Sequence, residues 1–479
     1  MRTFIIGLVI LALGGAVYGR ICEKIFRPDP ERKTPAVSKA DGVDFVVMPK
    51  WKNCLIQLLN IAGTGPVLGP IQGILFGPIA FITIPIGCVI GGAVHDYMSG
   101  MISIRSDGAQ MPELVSSYLG KRVRVVYLCF LSILLLLVGA VFVYTPGDLL
   151  STTITGNNST TNPVLWIIYG IIFIYYIIAT LFPIDKIIGK IYPIFGGVLL
   201  LSAVAIFVGL FVKGYPLDEI KGMGISGVHP LGQNFIPTFF VTVACGIVSG
   251  FHSTQSTLIA RTVGNEREGR LTFYVMMILE GFIAMVWAAA AMGIYNLKLA
   301  DSGTAATDIV GIIAQSFLGS TGGTIAVIGV VVLAITSGDT ALRSLRLMFS
   351  EAAHIDQQPK KNRVLVSLGI FTIVGGLLVF AKTSAGGFNM LWRYFAWGNQ
   401  VIAVFTFAIA TRYLKKNAGN RLAALMPLIP GAFYAFIVST YILNAKIGFN
   451  IPLNISIPIG IVLGIVYVLV VLLPKQKTT

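Results

Sequence analysis

The sequence predicts an all-α, polytopic membrane protein whose core helices form two inverted sets of five, each with one broken helix. Three observations carry this. Hydrophobic residues make up 55% and charged residues 11% of the 479 residues, where about 25% charged is ordinary for a soluble domain. Apolar runs of roughly 20 residues, each able to cross a hydrocarbon core of about 30 Å, recur along the whole length. Two of those runs are interrupted by glycine, proline and hydroxyl residues at Ile61–Pro70 and Cys245–Ser256.

The runs give about thirteen spans, at 4–20, 54–76, 79–103, 124–145, 164–183, 187–211, 236–260, 271–294, 322–346, 364–381, 391–413, 424–444 and 453–473. The first has Arg2 before it and no A-x-A-like site after it, so it reads as an uncleaved helix. With the N-terminus outside and the C-terminus in the cytoplasm, 28 of the 35 Lys and Arg fall on the cytoplasmic side, as positive-inside orientation requires. The net charge of +15 thus marks a membrane face and calls for no nucleic-acid partner. The five cysteines are scattered without C-x-x-C spacing and read as free thiols.

In order, residues 1–53 hold the first helix and a polar cytoplasmic loop with turns at Arg27–Pro30 and Asp41–Asp44. Residues 54–211 form the first set of five. The stretch Ile61-Ala62-Gly63-Thr64-Gly65-Pro66-Val67-Leu68-Gly69-Pro70 opens it. Proline removes a backbone donor and glycine permits non-helical angles, so this helix breaks at mid-depth. Broken backbone inside a bilayer must line a cavity or be buried in protein, which makes Gly63, Thr64, Gly65, Pro66 and Gly69 candidate binding residues. The next span carries Gly91-Gly92 for close helix packing, then His95 and Asp96, two ionisable groups inside the membrane. The alternative for that pair is a structural contact with Arg105. Residues 104–123 read as a short amphipathic helix with Met111, Leu114, Val115, Tyr118 and Leu119 on one face.

Residues 212–413 form the second set, opened by Gly246-Ile247-Val248-Ser249-Gly250-Phe251-His252-Ser253-Thr254-Gln255-Ser256. The pattern Gly-x-Val-x-Gly occurs here at 246–250 and in the first break at 65–69. The two spans run in opposite directions, the arrangement that marks a midplane binding site between inverted repeats. Ser249, Gly250, His252, Ser253, Gln255 and Ser256 are therefore candidate substrate contacts. Glu280, alone near the centre of its span, needs a partner, a proton or a cation. Residues 304–318 read as a surface or re-entrant segment lidding the site. Thr336 and Ser337 are hard oxygen ligands of the type a Na⁺ ion takes; hydroxyl-to-backbone bonding is the alternative. Asp339 stands four residues from Arg343, so proton coupling competes with a helix-surface ion pair. Trp392, Arg393 and Tyr394 read as interface anchors, with Asn399 and Gln400 deeper. Residues 414–479 add two peripheral helices.

No G-x-x-x-x-G-K-[ST], H-E-x-x-H or C-x-x-C-H sequence is present, which argues against an ATP-driven pump, a zinc protease and a haem carrier. The chain reads as a non-enzymatic secondary transporter of the plasma membrane, without cofactors, coupled to H⁺ or Na⁺. A channel or a nutrient sensor is the competing class. The proton-coupling candidates are His95, Asp96, His252, Glu280 and Asp339.

These stretches resemble the carbon starvation protein A family, which includes peptide and pyruvate transporters. The likeness rests on Asp41–Phe45, Ile61–Pro70, Gly91–Asp96, Gly250–Ser256, Asn265–Arg270, Ile335–Arg343 and Leu391–Gln400. That family is similar to the amino-acid/polyamine/organocation superfamily. The resemblance implies its LeuT-like five-plus-five inverted repeat, with substrate held between broken first and sixth core helices. It also implies a cation site on the eighth, where Thr336 and Ser337 fall. The expected cargo is a small molecule, peptides first and pyruvate as the alternative.

Overall fold

The computed structural model describes residues 1–41, 44–181, 185–220, 229–356, 359–446 and 448–473. Gly42 and Val43 of the expected Asp41–Asp44 turn, and the side chain of Cys245, lie outside the described residues. The helices are α1 (Arg2–Phe26), α2 (Lys50–Ile61), α3 (Gly65–Gly73), α4 (Ala80–Arg105), α5 (Met111–Leu119), α6 (Lys121–Thr155), α7 (Pro163–Leu181) and α8 (Asp185–Val212). They continue as α9 (Gly250–Ile259), α10 (Glu266–Asn296), α11 (Ala306–Ala352), α12 (Lys360–Thr383), α13 (Gly387–Asn417), α14 (Leu425–Asn444) and α15 (Leu453–Leu472). Among the described residues, nine helices are long and apolar enough to span a membrane, and the bent pair α2–α3 makes a tenth. Shorter apolar helices at Pro163–Ala179 and Gly196–Val212, and a broken segment from Phe235 to Ile259, stand where the other expected spans lie.

The chain packs as two units. One comprises Met1–Phe130, Leu217–Ala288 and Ala396–Thr479, the other Leu131–Pro216 and Ala289–Phe395. Each draws residues from both sequence-predicted sets of five.

The first unit contains both interruptions. Helix α2 ends at Ile61, Ala62–Thr64 are non-helical, and α3 starts at Gly65 with a bend of 46°. Pro66 sits in the first turn of α3, where its missing N–H costs nothing, so the break falls just before it. The second interruption runs through a 3₁₀ turn at Ala244–Gly246 and extended Ser249 (φ −134°, ψ 130°) before α9 begins. The interrupted segments lie against each other: Gln57 of α2 donates to Ser256 of α9 at 3.0 Å. Asn53 Nδ2 and Met48 N–H both donate to the Thr262 carbonyl, at 3.1 and 3.0 Å.

Helix α4 follows Pro85 with a π turn at Cys88–Gly92. The Tyr274 hydroxyl donates to the Val89 carbonyl within that turn at 2.9 Å. Gly92 is required there: a Cβ would stand 2.0 Å from the Ile247 carbonyl oxygen. Of the cysteines, Cys22, Cys54 and Cys88 are buried free thiols and Cys129 is an exposed one.

The polar loop after α1 is tied to the α9–α10 turn. The Glu266 carboxylate, fully buried, accepts from Arg105 Nε and Nη2 at 3.1 and 2.9 Å and from Asp29 N–H at 2.8 Å. Arg105 also reaches the carbonyls of Phe26 and Arg27 and the Tyr413 hydroxyl. The Arg105 contact weighed for His95 and Asp96 is thus not made; its partner comes from another helix. Glu266→Gln is expected to cost about 1–3 kcal/mol, because it removes the charge that faces the Arg105 guanidinium while Phe26, Arg27 and Tyr413 still accept from it. Thermal unfolding of the purified protein in detergent reads this loss directly.

In the second unit, Asp148 of α6 accepts from Lys382 Nζ at 2.7 Å and from the Tyr169 hydroxyl at 2.5 Å, joining α6, α7 and α12. Residues 304–318 hold the separate short helix expected of them, set off by non-helical backbone at Gly319. From Ala306 they form the start of α11, kinked at Gly319 (φ 72°), with Phe317 stacked on Tyr215 at 4.4 Å. Trp392 corrects the interface-anchor expectation. It is fully buried between Phe388 and Phe395, so its neighbours are protein side chains and not lipid headgroups.

Candidate functional site

Four of the five proton-coupling candidates converge in the first unit. His95 and Asp96 lie on α4 one turn past the π turn, His252 is in the first turn of α9, and Glu280 is on α10. His95 Nδ1 is 2.8 Å from Asp96 Oδ1. His252 Nδ1 is 3.3 Å from Asp96 Oδ2 and 3.7 Å from Glu280 Oε2. His95, Asp96 and Glu280 are 0% exposed and His252 is 2% exposed. Among the described residues no lysine or arginine pairs with either carboxylate. Neither oxygen of Glu280 has a hydrogen-bond donor among them. Two carboxylates thus face one imidazole nitrogen inside an apolar bundle, a costly arrangement at this depth.

Cys88 donates to the Gly246 carbonyl at 3.0 Å, fastening α4 to the turn that precedes the second break. The ring of Phe407 meets His95 edge-on at 5.4 Å. An apolar recess of about 260 Å³, lined by Ile86, Gly87, Phe240, Ile247, Phe433 and Tyr434, flanks the same break. Its walls are mostly apolar, with Thr83 and Tyr434 the hydroxyl-bearing residues among them.

The candidate substrate contacts are all buried. Gly63 and Thr64 form the first break, and Gly65, Pro66 and Gly69 begin α3. Among the described residues the buried Thr64 hydroxyl has no hydrogen-bond partner, at the uncapped N-terminus of α3. Ser249 donates to Asn399 Oδ1 at 2.7 Å, and Ser253 to the Gly250 carbonyl at 2.6 Å. Ser256 receives the Gln57 amide, and Gln255 is 4% exposed.

Thr336, Ser337 and Asp339 belong to the second unit. Thr336 donates its proton to the carbonyls of Val332 and Leu333, both at 3.0 Å, the hydroxyl-to-backbone bonding weighed for it. Among the described residues the buried Ser337 hydroxyl has no hydrogen-bond partner. Asp339 lies 3.4 Å from Arg343 Nη2, the i,i+4 ion pair.

Sequence reasoning missed Gln57 and Asn53, and read Asn399 only as lying deeper in its span. Asn53 and Gln57 stand four apart on α2, so both face α9, a spacing that could have disclosed them.

Fold and site together define a polytopic helical membrane protein with a buried cluster of ionisable groups. The model of the family "Carbon starvation protein CstA" matches residues 1–213, 146–311 and 301–441, and this chain belongs to that family. An uncharacterized membrane protein of Haemophilus influenzae is 42% identical over 342 residues, covering 62% of this chain and 92% of its own. The pyruvate/proton symporter BtsT of Escherichia coli (strain K12) is 27% identical, covering 57% of this chain and 46% of its own. The peptide transporter CstA of the same organism is 25% identical, covering 62% and 51%. The chain thus spans about half the length of those transporters. Its named relatives are membrane transporters, not enzymes. The fold is shared with the Eremococcus coleocola manganese transporter, at TM-score 0.58 and 12% identity over 90% of this chain and 96% of that one. A Na⁺-coupled sialic acid symporter matches at TM-score 0.50 and 16% identity, covering 97% and 95%.

Proposed function

We propose that this protein is a proton-coupled symporter that imports peptides across the cell membrane, a nutrient-uptake role during carbon starvation. The observation that carries the proposal is His252: it sits on the helix that opens the second break and faces Asp96 and Glu280 at once. A proton gained or lost in this cluster changes the force on α9, and α9 is half of the proposed binding site. Coupling ion and cargo thereby share one mobile element, which is what symport by alternating access needs.

The five-plus-five inverted repeat and the external N-terminus belong to this reading, supported by the paired interruptions and the charge asymmetry. The substrate carboxylate is assigned to the first break, where the positive end of α3 meets the unpartnered Thr64 hydroxyl. The corresponding position on α9 is taken, since Phe251 N–H donates to Asn399 at 3.2 Å. Pyruvate is the second reading, favoured by the relative named a pyruvate/proton symporter. Thr336 and Ser337 keep Na⁺ as the alternative coupling ion.

Purified protein in liposomes, given labelled small peptides or pyruvate under imposed gradients, tests all of this. Peptide accumulation driven by an inward proton gradient and indifferent to Na⁺ is the expected result. Pyruvate accumulation with peptides idle transfers the cargo assignment. No accumulation under either gradient overturns symport.

A further inference from the structure

We infer that Asn399 and Gln400 are positioning residues that clip together the two sides of the second break and so hold His252 against its carboxylates. This rests on the reading of His252, Asp96 and Glu280 as the coupling site.

The two residues are consecutive on α13 and both are 0% exposed. Gln400 Nε2 donates at 2.6 Å to the carbonyl of Phe240, in the short helical piece before the break. Asn399 Oδ1 accepts from the Ser249 hydroxyl at 2.7 Å and from Phe251 N–H at 3.2 Å, at the start of α9. Unwound backbone leaves polar groups that cannot find water at this depth. One amide serves each side, donor to the carbonyl end and acceptor at the N–H end. Because Asn399 and Gln400 are neighbours on one rigid helix, the two sides are held at a fixed separation.

The approach is close enough to require glycine. A Cβ on Gly250 would lie 2.5 Å from the Asn399 carbonyl oxygen and 2.4 Å from Ile402 Cβ. The first turn of α9 therefore rests on the backbone of α13, and His252, one residue past the bonded Phe251 N–H, takes its place from that seat. An amide pair is suited to this task. It grips without charge, so the clip does not compete with the carboxylates for the proton.

The test uses the full-length protein in detergent and in liposomes, with Asn399→Leu, Asn399→Asp, Ser249→Ala and the Asn399→Leu/Ser249→Ala pair. Amide hydrogen exchange over residues 247–256 reads the clip without requiring transport. Losing the acceptor is expected to speed exchange there by about tenfold to a hundredfold, the worth of a buried hydrogen bond. Asn399→Asp, which keeps the accepting oxygen, is expected to stay near wild type. The double variant is expected to exchange no faster than Asn399→Leu alone, since both changes remove the same bond. In liposomes, Asn399→Leu is expected to displace the pH profile of uptake.

Exchange unchanged in Asn399→Leu, or effects that multiply in the double variant, overturns the clip. A displaced exchange rate with an unmoved pH profile overturns its link to His252. Should Asn399→Leu not fold, Ser249→Ala and Asn399→Asp carry the exchange measurement, and equal deprotection in both overturns the clip. A wild type without gradient-driven uptake defeats the transport reading separately, while the exchange arm still decides the contact.

Discussion

Asp96→Asn is expected to lower proton-driven uptake by about tenfold to a hundredfold, equivalent to the about 1.5–3 kcal/mol carried by a hydrogen bond to a charged group. Asp96 is the hub of the cluster: one oxygen meets His95 at 2.8 Å and the other faces His252 at 3.3 Å. Asparagine keeps the volume but can offer an acceptor to only one imidazole, and its amide confronts the other with a donor. Substrate exchange across the membrane without a gradient is expected to survive better than accumulation, because the two breaks are untouched. Measuring counterflow beside gradient-driven uptake separates the two. Wild-type accumulation by Asp96→Asn removes Asp96 from the coupling mechanism.

Gly92→Ala is expected to be among the most damaging single methyls in the first unit. The added carbon would stand 2.0 Å from the Ile247 carbonyl oxygen and 2.8 Å from Met277 Cε. Met277 can swing aside, but the carbonyl belongs to the second break and cannot. Overpacking of this kind costs about 1–3 kcal/mol, and here relief comes only by parting α4 from the break. Both thermal stability and uptake should fall, and a variant with intact stability and uptake would contradict the packing described. Gly91, whose Cβ would have its nearest neighbour at 3.9 Å, is the control, and Gly91→Ala is expected to be tolerated.

The breaks were legible because their causes are local. Pro66 and the glycines around it disrupt helix wherever they stand, and the 46° bend falls at Ala62–Thr64. His95, Asp96, His252 and Glu280 were each legible as costly charges in apolar runs. Their meeting was not, since three separate helices bring them together and nothing in the spacing encodes that. Asn399 and Gln57 were harder still. An uncharged amide inside a span carries no excess cost that marks it, so its partner must be seen. Trp392 misled for the opposite reason. Aromatics beside arginine suggest a membrane interface, but the apolar window of α13 is 78% buried, and the ring faces protein. Arg105 and Glu266 show the same limit, because the nearest charges in sequence were not those the fold pairs.

The π turn at Cys88–Gly92 has a consequence for the angular phase of everything after it. Each residue advances an α-helix by about 100°, and a π turn accommodates one residue more than the α-helical repeat allows. His95 and Asp96 follow directly on that extra residue. Drawing these same residues into a regular α-helix, with none removed, would swing both side chains about 100° around its axis, away from His252 and Glu280. The helix would still be apolar, long enough and well packed. The site, however, would be facing elsewhere.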